Sequence, residues 1–82
     1  MRCQPNTFSS STTIEYQLNY QSEVNLFIFN YRGQLVYTLK EQQQEGKQKL
    51  EWDAEDLAAG LYFYRLEIGG KSAIGKLIKI KN

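Results

Sequence analysis

The densest group of side chains that can do chemistry is a set of four carboxylates within six residues, at Glu51, Asp53, Glu55 and Asp56. Carboxylate oxygens in flexible loops are the ligands that Ca²⁺ prefers, so a calcium site is one interpretation. Their spacing does not match an EF-hand loop, and an Asp beside a tight turn commonly accepts hydrogen bonds from the backbone N–H groups that follow it. The sequence therefore favours a structural turn that begins at Asp53, with calcium binding as the alternative.

The other residue types argue against catalysis. The chain has no histidine, which removes the commonest general base, the commonest metal ligand and every Ser–His or Cys–His nucleophile. The single cysteine, Cys3, forms neither an internal disulfide nor a Cys/His zinc cluster. Neither of the glycine-rich patterns that bind phosphate occurs. We expect no enzyme activity, no cofactor and no metal centre.

Charge and hydropathy limit the possible partners. The 82 residues carry a net charge of +1, from ten basic and nine acidic side chains, so the molecule lacks the field that gathers nucleic acids. The longest uninterrupted apolar run, residues 26–29, is far too short to cross a bilayer. The charge is unevenly distributed, because residues 71–82 hold four lysines and no acid. We therefore expect neither nucleic-acid binding nor membrane insertion, and the basic end is either a solvated strand face or a recognition element.

Several aromatic residues fall on strand positions whose neighbours are predicted to point inward, namely Phe27, Phe29, Tyr31, Tyr37 and Phe63. An exposed patch of such rings can stack on sugars or fill the pockets of a partner protein. The alternative is that they cover the second face of the fold, by packing against the N-terminal segment around Phe8 or against a parent domain.

The elements that position these residues are strands, because apolar and polar residues alternate with the two-residue period of a half-buried strand. Gly33 and the Gly69-Gly70 pair predict short hairpin turns, residues 41–46 a polar surface connection, and residues 53–60 one capped turn. Trp52 is the predicted core anchor. The predicted fold class is all-β, a small antiparallel β-sandwich of immunoglobulin or fibronectin type III character with about six to seven strands.

The order of motifs carries a family resemblance. The motifs are Pro5-Asn6-Thr7-Phe8, Val24-Asn25-Leu26-Phe27-Ile28-Phe29-Asn30 with Gly33, Trp52-Asp53, Leu57, Gly60-Leu61-Tyr62-Phe63-Tyr64, and the basic ending at residues 76–81. In this order and spacing they resemble the type A C-terminal sorting domain of the type IX secretion system, found in Bacteroidetes and their relatives. On this resemblance, residues 1–8 are an N-terminal extension or linker and residues 9–82 are the sorting β-sandwich.

The resemblance implies a non-catalytic export signal at the C-terminus of a longer protein, which reaches the cell surface or the medium through the periplasm. The implied partners are proteins: the outer-membrane translocon, a shuttle protein and a sortase-like peptidase. The expected recognition residues are Gly60, Tyr62, Tyr64, Lys76, Lys79 and Lys81; the alternative for Gly60 and the two tyrosines is a purely structural role. The lysines would meet acidic or polar groups of the partner, while Ile78 and Ile80 hold the last strand in register.

Two other functions are compatible with the same strand pattern. The sorting domains resemble the immunoglobulin-like domain of flagellar hook-capping proteins, which would imply a structural or assembly role. Fibronectin-like accessory modules of glycosidases have a similar pattern, which would imply carbohydrate binding through Phe27 and Phe29.

Overall fold

The structure is a computed structural model that describes residues 2–4 and 7–81 of the chain. Within these residues there are eight strands and no helix, and hence no helix able to cross a membrane. The strands are β1 (Arg2–Gln4), β2 (Thr7–Phe8), β3 (Ser11–Leu18), β4 (Ser22–Asn30), β5 (Leu35–Gln43), β6 (Gly46–Asp53), β7 (Gly60–Ile68) and β8 (Lys71–Lys79).

The strands form two sheets, one of three strands in the order β1-β3-β6 and one of five in the order β2-β8-β7-β4-β5. Neighbouring strands are antiparallel except β2 and β8, which pair in parallel over two residues. Six strands have eight or nine residues, and β1 and β2 are short. The predicted all-β sandwich is therefore confirmed.

A shared apolar core joins the two sheets, because alternate side chains of each long strand point into it. Trp52 of β6 is only 1% exposed. Its ring meets those of Phe8 and Tyr62 edge to face, with centroids 5.7 and 5.3 Å away. Edge-to-face pairs add to the stabilisation that burial provides. The prediction that Trp52 is the core anchor is confirmed.

The predicted hairpin turns are also confirmed. Gly69 and Gly70 join β7 to β8 with φ values of 54° and 87°, the two positive angles that a type I′ turn requires and that favour glycine. Gly33, with φ of 83°, lies between β4 and β5. There the side-chain oxygen of Asn30 accepts hydrogen bonds from the backbone N–H groups of Arg32 and Gln34.

The predicted surface connection at residues 41–46 is wrong. β5 continues to Gln43 and β6 begins at Gly46, so only two residues connect them. Gln43 is buried, where its side-chain oxygen accepts a hydrogen bond from the hydroxyl of Tyr16 and its amide nitrogen donates to Glu41 at 2.8 Å. A buried amide is tolerated when its hydrogen bonds are made, and a search for apolar periodicity does not detect such a residue.

The N-terminal residues contribute to both sheets. β1 pairs with β3 in the three-stranded sheet, and β2 pairs with β8 in the five-stranded one. Phe8 is part of the buried core. The division into an extension (1–8) and a sorting domain (9–82) stays a prediction, and Met1, Pro5, Asn6 and Asn82 lie outside the described residues.

Candidate recognition site

Five of the six predicted recognition residues lie on the β7–β8 hairpin, and Lys81 follows two residues after its end. Gly60 and Lys79 are register partners where β7 begins and β8 ends, and Tyr62 lies two residues further along β7. These three surround the connection between β6 and β7, which we call loop 54–59. The other three predicted residues are Tyr64, in the interior of the hairpin, and Lys76 and Lys81, both exposed.

Lys79 is buried, although its residue type suggests a surface position. It is 7% exposed, and its ammonium nitrogen donates hydrogen bonds to the backbone carbonyl oxygens of Glu55 and Leu57, at 3.2 and 2.5 Å. A lysine can place its four-carbon stem along apolar side chains while its charged end reaches polar groups. Hydrogen bonds from a charged donor are about twice as strong as neutral ones. Lys79 therefore ties the end of β8 to loop 54–59.

Loop 54–59 makes further hydrogen bonds that fix its shape. A carboxylate oxygen of Asp53 accepts from the backbone N–H of Glu55 at 3.0 Å, which confirms the predicted turn that begins at Asp53. The N–H of Leu57 donates to the carbonyl of Ala54 at 3.0 Å. At the far end, the hydroxyl of Tyr62 donates to the carbonyl of Ala58 at 2.6 Å.

The arrangement of these carboxylates bears on the calcium alternative. Among the described residues, no group of three or more acidic, cysteine or histidine side chains is arranged to hold a metal ion. One carboxylate oxygen of Asp53 accepts a hydrogen bond within the turn. The geometry therefore supports the structural role of this segment.

Tyr64 lies over a glycine that the sequence analysis missed. Gly75 is its register partner on β8, and a Cβ atom added there would lie 2.6 Å from the Cζ atom and the hydroxyl oxygen of Tyr64. Real Cβ atoms essentially never approach another heavy atom so closely. An isolated glycine inside a strand pattern often marks such a close approach, so the signal was present in Ile74-Gly75-Lys76.

The predicted orientation of the last strand is wrong. Leu77 and Lys79 point into the core, whereas Ile78 and Ile80 are 45% and 48% exposed. The isoleucines were expected to hold the strand in register, but Leu77 and the hydrogen bonds of Lys79 do so. Because side chains alternate, one inward-pointing residue sets the direction of all the others. The outer surface of β8 therefore carries isoleucines as well as lysines.

The predicted aromatic patch is divided between the outside and the core. The ring of Tyr37 packs on Trp52 with centroids 6.4 Å apart, and Tyr31 is exposed at the β4–β5 turn. Phe27, Phe29 and Phe63 lie partly buried on the outer face of the five-stranded sheet.

The ring of Phe27 is already in contact with a cation. The Arg65 guanidinium lies 4.9 Å from the centre of this ring, and its Nε atom is 3.2 Å from a carboxylate oxygen of Glu67. A sugar that stacks on an aromatic ring needs a free ring face. The cation–π contact therefore weighs against carbohydrate binding at Phe27.

Comparisons with known proteins connect this geometry to a family. The family model for the secretion system C-terminal sorting domain matches residues 3–81. No curated protein matches the chain. Among solved structures, the crystal structure of dimeric latent PorU from Porphyromonas gingivalis is similar, with a TM-score of 0.76 and 19% sequence identity. The similar region covers 98% of this chain and 9% of the PorU chain, and at this identity the likeness concerns the fold. The chain therefore belongs to the family of secretion system C-terminal sorting domains, which are C-terminal signals for type IX secretion.

Proposed function

We propose that the chain is a non-catalytic sorting domain of a longer cargo protein, and that proteins of the outer-membrane translocon, with shuttle and sortase-like components, recognise its β7–β8 hairpin. The observation that carries this proposal is the family match over residues 3–81. The cargo passes through the periplasm to the cell surface or the medium. Residues 9–82 form the signal, and residues 1–8 lead into it from the cargo while β1, β2 and the buried ring of Phe8 pack with it.

The six predicted residues divide into two roles. Lys76 and Lys81 are exposed, and no acidic residue occurs between residues 68 and 81. These two lysines meet acidic groups of the partner, where complementary charge mainly provides specificity and fast association. The other four residues are Gly60, which is exposed, and the buried Tyr62, Tyr64 and Lys79. They hold the hairpin and loop 54–59 in the shape that the partner recognises.

A non-catalytic role fits the residues that the chain offers. It has no histidine, and the carboxylate of Asp53 is engaged in a turn. The best-placed ammonium group, that of Lys79, is bonded to two carbonyl oxygens. General acid–base catalysis needs a group that can reach the substrate, and these two groups instead maintain the fold.

The proposal is tested by secretion of a reporter. A signal peptide, a fluorescent protein and the 82-residue chain are joined and expressed in a bacterium with a type IX system. We expect the reporter on the cell surface or in the medium. In the double variant Lys76→Gln and Lys81→Gln, which removes two positive charges, we expect the reporter to stay in the periplasm. The matched control is Lys47→Gln with Lys49→Gln, which removes the same charge from exposed positions of β6.

Point substitutions are preferable to truncation after Lys76. Truncation also removes the buried side chains of Leu77 and Lys79. A truncated chain that is not exported could therefore have lost either its fold or its recognition signal, and the assay would not distinguish the two. Periplasmic retention of the unmodified fusion would contradict the sorting proposal for this chain. If the two double-lysine variants of the fusion were exported equally well, the role given to Lys76 and Lys81 would be contradicted.

A further inference from the structure

The outer side of β8 is an open strand edge along most of its length. Its partner there, β2, pairs only with Ile78 and Lys79. Along residues 71–77, no strand within residues 2–4 and 7–81 lies on that side. An open edge offers unpaired backbone N–H and C=O groups to any extended chain that reaches it.

The turn between β7 and β8 shows which backbone groups face outward. In a two-residue hairpin the flanking residues, here Ile68 and Lys71, exchange hydrogen bonds with each other. The odd-numbered residues of β8 therefore bond to β7, and the even-numbered ones face the open edge. The N–H of Ile80 agrees with this, because it donates to the carbonyl of Phe8 at 2.8 Å. Ser72, Ile74 and Lys76 thus present their N–H and C=O groups to an incoming strand.

The side chains beside this edge have a distinct chemistry. Ile74 is 73% exposed, more than any other large apolar side chain of the described residues. Ile78 is on the same outer surface, and Lys76 lies between the two. No acidic residue occurs from residue 68 to residue 81, so the sequence of exposed side chains along the edge is apolar, basic, apolar.

The opposite edge of the same sheet is different. By the same alternation the outward-facing residues of β5 are Thr38, Lys40 and Gln42, all polar and exposed. Lys40 is also paired with Glu23, with the two charged atoms 3.7 Å apart. Leu35, at the start of β5, is 52% exposed. Over residues 38–42, however, the β5 edge lacks the combination of exposed apolar and unpaired basic side chains that lies along β8.

We propose that the open edge of β8 receives an extended segment of a partner protein as an additional strand of the five-stranded sheet, and that this segment carries an apolar and an acidic side chain two residues apart, on the same face. The backbone groups of Ser72, Ile74 and Lys76 supply the hydrogen bonds. On the outer face, the apolar side chain of the segment packs on Ile74 and the acid two residues away meets Lys76. The segment ends before Ile78, where β2 occupies the edge. An edge lysine discourages pairing with chance strands, and here it admits only a strand that carries a complementary charge. The identity of the partner, a component of the export apparatus, rests on the function proposed above.

The first test uses the purified 82-residue chain and two short synthetic peptides. In the Val–Glu peptide, Val and Glu alternate at every second position with Thr between them, so that Val and Glu share one face of the strand. The Val–Lys peptide has Lys in place of each Glu. We expect the Val–Glu peptide to shift the backbone NMR signals of Ser72, Ile74 and Lys76, and added salt to weaken this effect. The Val–Lys peptide should leave them unchanged. Equal shifts with both peptides, shifts at the β5 edge instead, or no shifts would overturn the proposal. The proposal would also be overturned if the signals of these residues shifted with the concentration of the chain and not with added peptide. Such shifts would show that two copies of the chain pair with each other.

The second test removes one edge-facing donor without disturbing the bonds to β7. Proline has no N–H and is tolerated on edge strands, so Ile74→Pro is the variant and Thr38→Pro, on the β5 edge, is the matched control. We expect Ile74→Pro to weaken binding of the Val–Glu peptide about tenfold or more, since a backbone hydrogen bond is lost and the ring obstructs the strand. The secretion reporter fused to the Ile74→Pro variant should stay in the periplasm, whereas the reporter fused to the Thr38→Pro variant should be exported.

Both variants must unfold at the same denaturant concentration as the parent chain. Unfolding is measured by the fluorescence of Trp52. If Ile74→Pro does not, Ser72→Pro removes the neighbouring edge-facing donor in its place. Normal peptide binding by a folded proline variant would overturn the edge proposal while leaving the sorting function intact. If the unmodified fusion stays in the periplasm while the purified chain binds the Val–Glu peptide normally, only the sorting function is contradicted.

Discussion

Replacing Lys79 by methionine should destabilise the domain, although lysine to methionine is usually harmless on a protein surface. Methionine keeps an unbranched stem of similar length within the core and removes only the ammonium group. The carbonyl oxygens of Glu55 and Leu57 then lose the donor that holds them at 3.2 and 2.5 Å. Loop 54–59 loses its attachment to the end of β8.

The magnitude follows from the two hydrogen bonds. A hydrogen bond that involves a charged group contributes about 1.5–3 kcal/mol, so the gross loss is about 3–6 kcal/mol. Two effects reduce it: the cost of burying an ammonium group disappears, and water reaches the carbonyl of the exposed residue Glu55. We expect a net loss of about 2 kcal/mol in the free energy of unfolding, which lowers the Tm of a domain of this size by about 8–16 °C.

The assay is denaturant unfolding followed by the fluorescence of Trp52, which is buried in the core. The control is Lys76→Met, which removes the same charge from the exposed face three residues earlier and should change the free energy of unfolding by less than about 0.5 kcal/mol. Hydrogen exchange should be faster at the amide of Leu57 in the Lys79 variant alone. Equal stability of Lys79→Met and the parent chain, or equal losses in the two variants, would refute the role of the buried ammonium group.

Gly75→Ala should cost about 1–3 kcal/mol of unfolding free energy, because its Cβ overlaps the ring of Tyr64; in thermal unfolding, a parent-like Tm would contradict this contact. Tyr62→Phe should cost about 1 kcal/mol by removing the hydroxyl that donates to Ala58, and urea titration should show an unchanged slope with a lower midpoint. Burial raises the pKa of Tyr16 from 10.0 to about 12. The stability linked to this group is therefore complete below pH 10 and is lost as the pH rises towards 12. Tyr16→Phe should show a smaller alkaline loss of stability than the parent, and identical pH profiles would argue against the raised pKa.

Much of the fold was predictable because short-range patterns carry it. Alternation of apolar and polar residues located the long strands, and Gly69-Gly70 specified a turn that only positive φ angles permit. Trp52 was identified as the core anchor from its size and its position on an alternating strand. These features depend on residues that are close together in the sequence, so one chain is enough to predict them.

The candidate site was predictable in its location and not in its orientation. The resemblance placed the six expected residues on the last two strands; five of them lie there, and Lys81 follows two residues after β8 ends. It did not show that Gly75 accommodates Tyr64, a contact across eleven residues of chain. It also did not show that Gln43 is buried against Tyr16, because a polar side chain in a core is detected only through its partner.

The sequence by itself determined which residues of the last strand share a face, since side chains alternate along any strand. Only the tertiary structure decided which face is inside. Apolar character favoured Ile78 and Ile80, yet the pairing of β8 with β7 places Leu77 and Lys79 in the core. Lysine is accepted there because the carbonyl oxygens of Glu55 and Leu57, more than twenty residues earlier in the chain, lie where its ammonium group can donate to them. The local sequence does not show that folding brings hydrogen-bond acceptors from a distant loop to this strand. With those acceptors in place, the face of β8 that points into the core is the opposite of the one that local apolarity predicts.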